Sequence, residues 1–501
     1  MLTLGMSNRI LVIAIAASLV VPVPLSIRSV SYAGPEIREF ISPNPQLGGF
    51  FGKAVAGVPD VDGDGLGDVV IGAFQETAGD EVLYAGKVYV FSGGSGNLLR
   101  TLESPSPEYL GIFGIVVSGL PDIDGDDRGD IFVSADLEEG EGNVEDVGHA
   151  YIFSGSSGAL LRKLSSPSPI SGGNFGFDVT WVPDITGDQI IELIVGTPYE
   201  ADGESPPHSG RVHLFDGSTF ELIRTLTSPN EVEEGRFGSS VAGLSDINGD
   251  GLGEILVGAP REFNPFTGET DGRVYVIDGS TGEAIHEIVS PNAEDDNIRG
   301  FFGLQVASVD DLNSDGRQDF LASSITDSPG SSPHDAGRVY VFDGVSGTLI
   351  HTLRSPNEEY MGLFGEFISG IPDVTGDGFG DIIVGTGQED PGNSPPGAGR
   401  AYIFDGIKGI LIQTLRSPHE ITPGNFGIDV AGVPDANGDG LGEVIVGAWG
   451  ETSLPGVIET GRAYLFYSPF NGADLNRDGS VDFLDLTSFT RQWMQSEIQV
   501  K

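Results

Sequence analysis

Residues 237–260 read FGSSVAGLSDINGDGLGEILVGAP, from Phe237 to Pro260. A Phe-Gly pair is followed, nine residues on, by a loop with side-chain oxygens at its first, third, fifth and ninth positions: Asp246, Asn248, Asp250 and Glu254. An apolar run then ends in Gly258-Ala259-Pro260. The arrangement occurs seven times, with loops opening at Asp60, Asp122, Asp184, Asp246, Asp311, Asp373 and Asp435. The leading aromatic is Phe51, Phe113, Phe175, Phe237, Phe302, Phe364 or Phe426. Successive loops lie 62 residues apart, except for one step of 65. A repeat this long is one supersecondary unit stacked on its copies, each burying its apolar face against the next.

One unit, residues 235–291, alternates strands with turns. Phe237 to Gly243 reads as a short apolar strand and Glu254 to Gly258 as a buried one. Arg273 to Asp278 alternates with a period of two, Gly279 to Gly282 is turn chemistry, and Ala284 to Ser290 forms a last strand closed by Pro291. Four short antiparallel strands per unit, with no sustained helical period, is the pattern of a propeller blade. The fourth strand ends in Ser-Pro seven times, at Ser42, Ser104, Ser166, Ser228, Ser290, Ser355 and Ser417. Its first copy precedes the first loop, whereas the last third strand, Gly461 to Phe466, has none after it. Pairing these two orphans removes two exposed edges. The expected fold is therefore all-β: a seven-bladed propeller over residues 34–467, its last blade completed by residues 36–42.

The loops carry the candidate chemistry. Their oxygen ligands are Asp60, Asp62, Asp64 and Asp68; Asp122, Asp124, Asp126 and Asp130; Asp184, Thr186, Asp188 and Glu192; and Asp246, Asn248, Asp250 and Glu254. The set continues with Asp311, Asn313, Asp315 and Asp319; Asp373, Thr375, Asp377 and Asp381; and Asp435, Asn437, Asp439 and Glu443. All-oxygen ligation at this density suits the hard, geometrically flexible calcium ion, and glycine at position six allows the tight reversal. Asp127 and Gln189 replace that glycine in the second and third loops. Gln enters the left-handed region with more difficulty than Asp. Up to seven calcium ions are expected in the propeller. At roughly 0.1–1 mM affinity and tenfold saturation, each would add about 1.4 kcal/mol to stability.

The triple landmark resembles the FG-GAP repeat of integrin alpha chains, most fully in Phe237-Gly238, Asp246 to Glu254 and Gly258-Ala259-Pro260, and the likeness runs through residues 36–467. The third landmark drifts in other copies, as in Ser134-Ala135-Asp136 and Ser323-Ser324-Ile325. The resemblance implies calcium on one propeller face and partner binding on the other. Aromatics expected on that second face are Phe74, Tyr84, Tyr109, Tyr199, Phe263, Phe266, Tyr360 and Trp449. Exposed, they would anchor a protein interface or stack on sugars; folded back, they would only pack loops.

The formal net charge of −49 excludes a general nucleic-acid binder, which needs a basic footprint. With no cysteine there is neither a disulfide framework nor thiolate chemistry. Arg9, the apolar run Ile10 to Val21, and Ser31-Tyr32-Ala33 read as a signal peptide over residues 1–33, cut after Ala33. The run falls short of the roughly 20 residues that span a bilayer, and no later segment could cross one. A secreted, extracellular or surface-associated chain is expected.

Residues 468–501 break the repeat. Asp474, Asn476, Asp478, Asp482 and Asp485, with Gly479, have EF-hand loop spacing for one more calcium. The apolar positions of 483–494 have a helical period. This segment resembles one calcium repeat of a dockerin, which implies a cohesin-type partner. Dockerins carry two such repeats, so a sorting or attachment tag, or a cap on the last blade, stands beside that reading.

Catalytic constellations are lacking. The seven histidines are scattered, and no nucleophile elbow, phosphate loop or zinc signature stands out. From the Gly or Ser after strand two to the Gly opening strand three is 14 residues in every unit, so no blade carries an enzyme-like insert there. The expected function is non-catalytic adhesion or recognition of an extracellular protein or glycan. A calcium-dependent polysaccharide lyase or hydrolase on the same scaffold is the alternative.

Overall fold

Apolar, β-branched runs between glycine and acidic turns become strands because they fit a pleated surface buried on both faces. In the computed structural model, which describes residues 37–78, 82–203, 205–263, 271–292, 301–453 and 458–468, they form 28 strands and no helix. These build seven four-stranded antiparallel sheets. Six take four consecutive strands in order, as in Ser240–Leu244, Glu254–Ala259, Arg273–Asp278 and Ala284–Val289. In the seventh, Phe426–Val433, Glu443–Ala448 and Arg462–Phe466 are completed by the N-terminal Ile37–Phe40. Ile37 stands opposite Phe466 and Phe40 opposite Ala463, so the chain closes as the orphan strands require. The first strand of each blade touches that of the next, and Ala54–Val58 meets Phe426–Val433 to shut the ring.

The core lies between blades. Phe113 of blade 2 is fully buried with Val58, Val88 and Leu102 of blade 1. Phe51 of blade 1 packs in one cluster with Phe40, Ile445 and Leu465 of blade 7. All seven leading phenylalanines have zero exposure. The expected strand from Phe237 needs correcting, since regular pairing starts at Ser240. Gly238, at φ +87°, turns the chain, and Phe237 instead forms a parallel bridge with Gly210 of the preceding blade.

The two motif glycines meet across blades. A Cβ on Gly72 would stand 2.1 Å from the carbonyl oxygen of Gly114, the glycine of the next Phe-Gly pair. Where Ser134 replaces the first glycine, its hydroxyl donates to the Gly176 carbonyl, so the drift is a substitution of contact by hydrogen bond. Each inner strand leaves an unpaired edge toward the axis, and the preceding blade caps part of it. Val55 N donates to Asp429 Oδ2 (2.8 Å), Val241 N to Asp178 Oδ2 (2.9 Å) and Val306 N to Ser240 Oγ (3.1 Å).

A second inter-blade device recurs seven times and escaped the sequence reading. An acid four residues after the second-strand Gly or Ser is buried in every blade: Glu76, Glu138, Glu200, Glu262, Asp327, Glu389 and Glu451. Each side chain meets the Ser of the preceding Ser-Pro and a ring on its own third strand. In blade 4, Ser228 Oγ and Tyr275 OH both donate to Glu262 at 2.5 Å. In blade 3 the ring is His213, with Nε2 2.9 Å from Glu200 Oε2. The acid's own carbonyl accepts from the Gly opening the third strand, as for Glu262 and Gly272 N (2.9 Å). Each acid thus staples one blade's last strand to the next blade's middle. Burial, opposed by the serine and tyrosine bonds, holds Glu76, Glu138, Glu389 and Glu451 up at about 7. The periodicity was visible in the sequence, but attention to exposed oxygen-rich loops passed over a lone acid inside an otherwise variable loop.

The expected leader peptide, the C-terminal calcium loop with Asp474, Asn476, Asp478, Asp482 and Asp485, and Phe266 lie outside the described residues. Among the described residues no helix is long and apolar enough to cross a membrane.

Candidate functional site

Antiparallel order puts the turns after strands one and three on one face of the ring, and those after strands two and four on the other. The seven acidic loops, each joining strand one to strand two, therefore share a face. All are wound alike. The first Asp accepts two backbone amides through its two oxygens: Asp246 Oδ1 from Gly249 N (2.6 Å) and Oδ2 from Gly251 N (3.0 Å). The fifth-position Asp accepts from position seven, as Asp250 Oδ1 does from Leu252 N (2.8 Å). Positions four and six are left-handed in every loop, and three carry side chains there: Asp127 (φ 63°), Gln189 (φ 72°) and Ser314 (φ 66°). The third loop thus adopts the common form despite its Gln.

The ninth position divides the loops into two kinds. Where it is Asp, both oxygens are spent on backbone amides. Asp68 takes Val61 N (2.7 Å) and Gly93 N (2.9 Å), and Asp130, Asp319 and Asp381 repeat this pair. Where it is Glu, the longer side chain keeps one amide bond and carries its other oxygen farther. Glu192 Oε1 and Glu254 Oε1 are buried with no hydrogen-bond partner, while Glu443 Oε1 takes the Asn437 amide nitrogen at 2.7 Å.

Three carboxylates converge to within 4.8 Å in five of the loops. In loops 1 and 2 these are positions one, three and nine: Asp60, Asp62, Asp68 and Asp122, Asp124, Asp130. In loops 3, 4 and 7 they are positions one, five and nine: Asp184, Asp188, Glu192, then Asp246, Asp250, Glu254, then Asp435, Asp439, Glu443. Loops 5 and 6 combine a short ninth-position Asp with a non-acidic third residue, Asn313 or Thr375, and Asp311, Asp315, Asp319 and Asp373, Asp377, Asp381 form no such trio. Asp64 and Asp126 stand outside the trios of their loops. An all-oxygen donor set with an orphaned, buried carboxylate oxygen fits a hard divalent cation, because such an oxygen is costly until something positive meets it.

Burial, reinforced by neighbouring acids, pushes Glu254 and Glu443 up to about 8, Glu192 and Asp381 to about 7, and Asp68, Asp130 and Asp319 to about 6. Carboxyls raised above their unfolded range stabilise the fold when protonated. That contribution is complete below about pH 4 and is lost as pH rises through 6 to 8. In cation-free buffer the melting temperature is therefore expected to fall steadily from pH 5.5 to pH 8.5, followed by circular dichroism. A flat or rising profile over that window would refute it.

The opposite face exposes large apolar side chains among its polar ones. Tyr360 is 70 % exposed, Leu47 66 % and Tyr109 65 %, at equivalent points of connections between blades; Phe263 is 42 % exposed in a loop between strands two and three. Leu83, Leu110, Met361 and Ile458 are also exposed there. The other expected aromatics within the described residues pack. Phe74 stacks on Phe50 at 5.5 Å, Trp449 stands edge-on to Phe50 at 4.6 Å, and Arg236 covers Tyr199. Tyr84 leans on Tyr109 at 5.9 Å and supports it.

The FG-GAP repeat model matches residues 51–91, 237–277 and 364–404. Integrin alpha-3 of Cricetulus griseus is 34% identical over 255 residues, 47% of this chain and 22% of that protein. Integrin alpha-5 of Xenopus laevis is 29% identical over 245 residues, 46% of this chain and 22% of that protein. Integrin alpha-8 of Gallus gallus is 28% identical over 298 residues, 55% of this chain and 26% of that protein. The chain thus spans about a quarter or less of the length of these curated relatives, and the shared part is an integrin-like FG-GAP β-propeller.

Proposed function

We propose that this chain is a secreted, calcium-stabilised and non-catalytic recognition module that grips an extracellular protein or glycan. The propeller of residues 34–467 follows a leader over 1–33 and precedes a dockerin-like calcium loop over 468–501. One observation carries the reading: the exposed aromatics Tyr109 and Tyr360, each followed by an exposed Leu110 or Met361, and Leu47 stand at equivalent connections spaced around the face that the acidic loops do not use. Solvated tyrosines on a rigid ring lose little conformational entropy on binding and serve well as anchors. The acidic loops serve stability. Calcium in the five convergent loops neutralises carboxylates that the fold has already taken out of water, and binds the turns at the mouths of those five blades.

The test is retention of the full chain on glycan and surface-protein arrays, in millimolar calcium and in chelator. Calcium-dependent retention is expected, weakened about tenfold or more in Tyr109→Ala/Tyr360→Ala at unchanged melting temperature. Release of product from an arrayed polysaccharide would replace this reading with an enzymatic one.

A further inference from the structure

Loop 6 takes a cation from the third-strand turn of its own blade, whereas loops 1 and 4 meet Arg128 and Arg317 of the next blade at their first-position Asp60 and Asp246. The turn after the third strand faces the acidic loop in each of blades 1 to 6, and its fourth residue is Ser95, Ser157, Thr219, Thr281, Ser346 or Lys408. Lys408 keeps the turn that the serines and threonines make, its amide donating to Asp405 Oδ1 at 2.8 Å, as Ser346 N donates to Asp343 Oδ1 at 2.7 Å. It then adds an ammonium. Nζ donates to Asp405 Oδ2 and stands 3.9 Å from Asp377 Oδ2, the fifth-position carboxylate of loop 6. Both carboxylates are largely shielded, with side-chain exposures of 7 % and 19 %. In loops 4 and 5 the corresponding acid instead faces an amide nitrogen of its loop: Asp278 Oδ2 meets Asn248 Nδ2 (3.3 Å) and Asp343 Oδ2 meets Asn313 Nδ2 (3.0 Å). Loop 6 has Thr375 there, as loop 3 has Thr186, and each hydroxyl donates to its own first-position Asp instead. The ninth-position Asp381 has both oxygens committed to backbone amides of Val374 and Gly406, so nothing in this loop reaches inward as Glu254 does in loop 4.

We propose that Lys408 is a resident counterion of loop 6, its ammonium bridging Asp405 and Asp377 so that part of this blade's acidic charge is met without a divalent cation. The proposal rests on reading the convergent loops as cation sites, but it makes its own prediction for a loop that does not converge.

Hydrogen–deuterium exchange of the full chain, with calcium as the probe and chelator as the reference, separates the two. In the wild-type chain, peptides covering 246–254 are expected to exchange more slowly in calcium, while peptides covering 373–381 exchange alike in both. In Lys408→Met, loop 6 is expected to exchange about two- to fivefold faster in chelator, the range an ion pair with one exposed partner supports. Calcium is then expected to slow it. Slowing of wild-type loop 6 by calcium to the same extent as loop 4 would overturn the proposal, and so would an unchanged loop 6 in chelated Lys408→Met. If loop 4 ignores calcium, the cation reading of the loops fails, and the acceleration in chelated Lys408→Met still decides the role of the lysine.

Discussion

Stripping divalent cations from this chain is expected to lower its melting temperature by on the order of 10 °C, from five sites of about 1.4 kcal/mol each at tenfold saturation. The basis is local. Loops 3 and 4 each bury a carboxylate oxygen with no partner, and burial drives their Glu192 and Glu254 to about 7 and about 8. At neutral pH such a group is either charged without solvation or protonated against the solution; a cation removes both costs. Melts in 2 mM calcium and in chelator measure the difference. Glu254→Gln offers a finer check: it removes the raised carboxyl and is expected to narrow the gap between the two melts by roughly one site. A shift below about 2 °C for the wild-type chain would mean that the loops are solvated turns whose geometry is complete without metal.

The fold was legible in the sequence because its landmarks are backbone requirements repeated in register. Gly52, at φ +84°, would drive a Cβ to 2.1 Å from the Arg462 carbonyl oxygen, so the Phe-Gly glycine announces a close approach between blades. The orphan strand at Ile37–Phe40 could be paired by counting alone. The loops were legible as ligand sets but not as geometries. The alternation between Asp and Glu at the ninth position reads as a conservative change, yet one methylene decides whether the second oxygen bonds the next turn, as in Asp68, or stays free, as in Glu254. Lys408 was missed for a related reason. It lies 31 residues from Asp377 in the chain, and only the return of the third strand to the loop face brings their charges together. The buried acids such as Glu262 were missed because a single acid in a polar loop carries no local signal that its side chain is inside. The rim aromatics divide as only packing can decide. Phe74 and Trp449 clasp Phe50, whereas Tyr109 and Tyr360 stand in solvent.

Deleting residues 36–42 is expected to abolish the monomeric native state, because that short segment performs three jobs at the seam of the ring. Among the described residues, Ile37–Phe40 supply the only partner for the outer edge of Arg462–Phe466, and without them a regular strand edge is open to other chains. Phe40 is buried against Phe91 at 4.9 Å and shares a cluster with Ile445 and Leu465, so its loss opens a cavity where blades 7 and 1 meet. Ser42 donates to Glu76, which also holds Tyr89, so the first staple loses its outer arm and leaves a buried acid short of one bond. Single substitutions apportion these terms. Phe40→Ala is expected to cost about 3–5 kcal/mol, the range for truncating a buried aromatic, whereas Ile37→Ala, on the exposed side of the same strand, is expected to cost under about 1 kcal/mol. Size-exclusion chromatography of the deletion should show oligomers or unfolded chain, and a synthetic peptide of residues 34–45 added in trans should restore monomer. A deletion that stays monomeric with an unchanged melting temperature would show that the ring is held by its inner strands, and that closure by the N-terminal strand is incidental to stability.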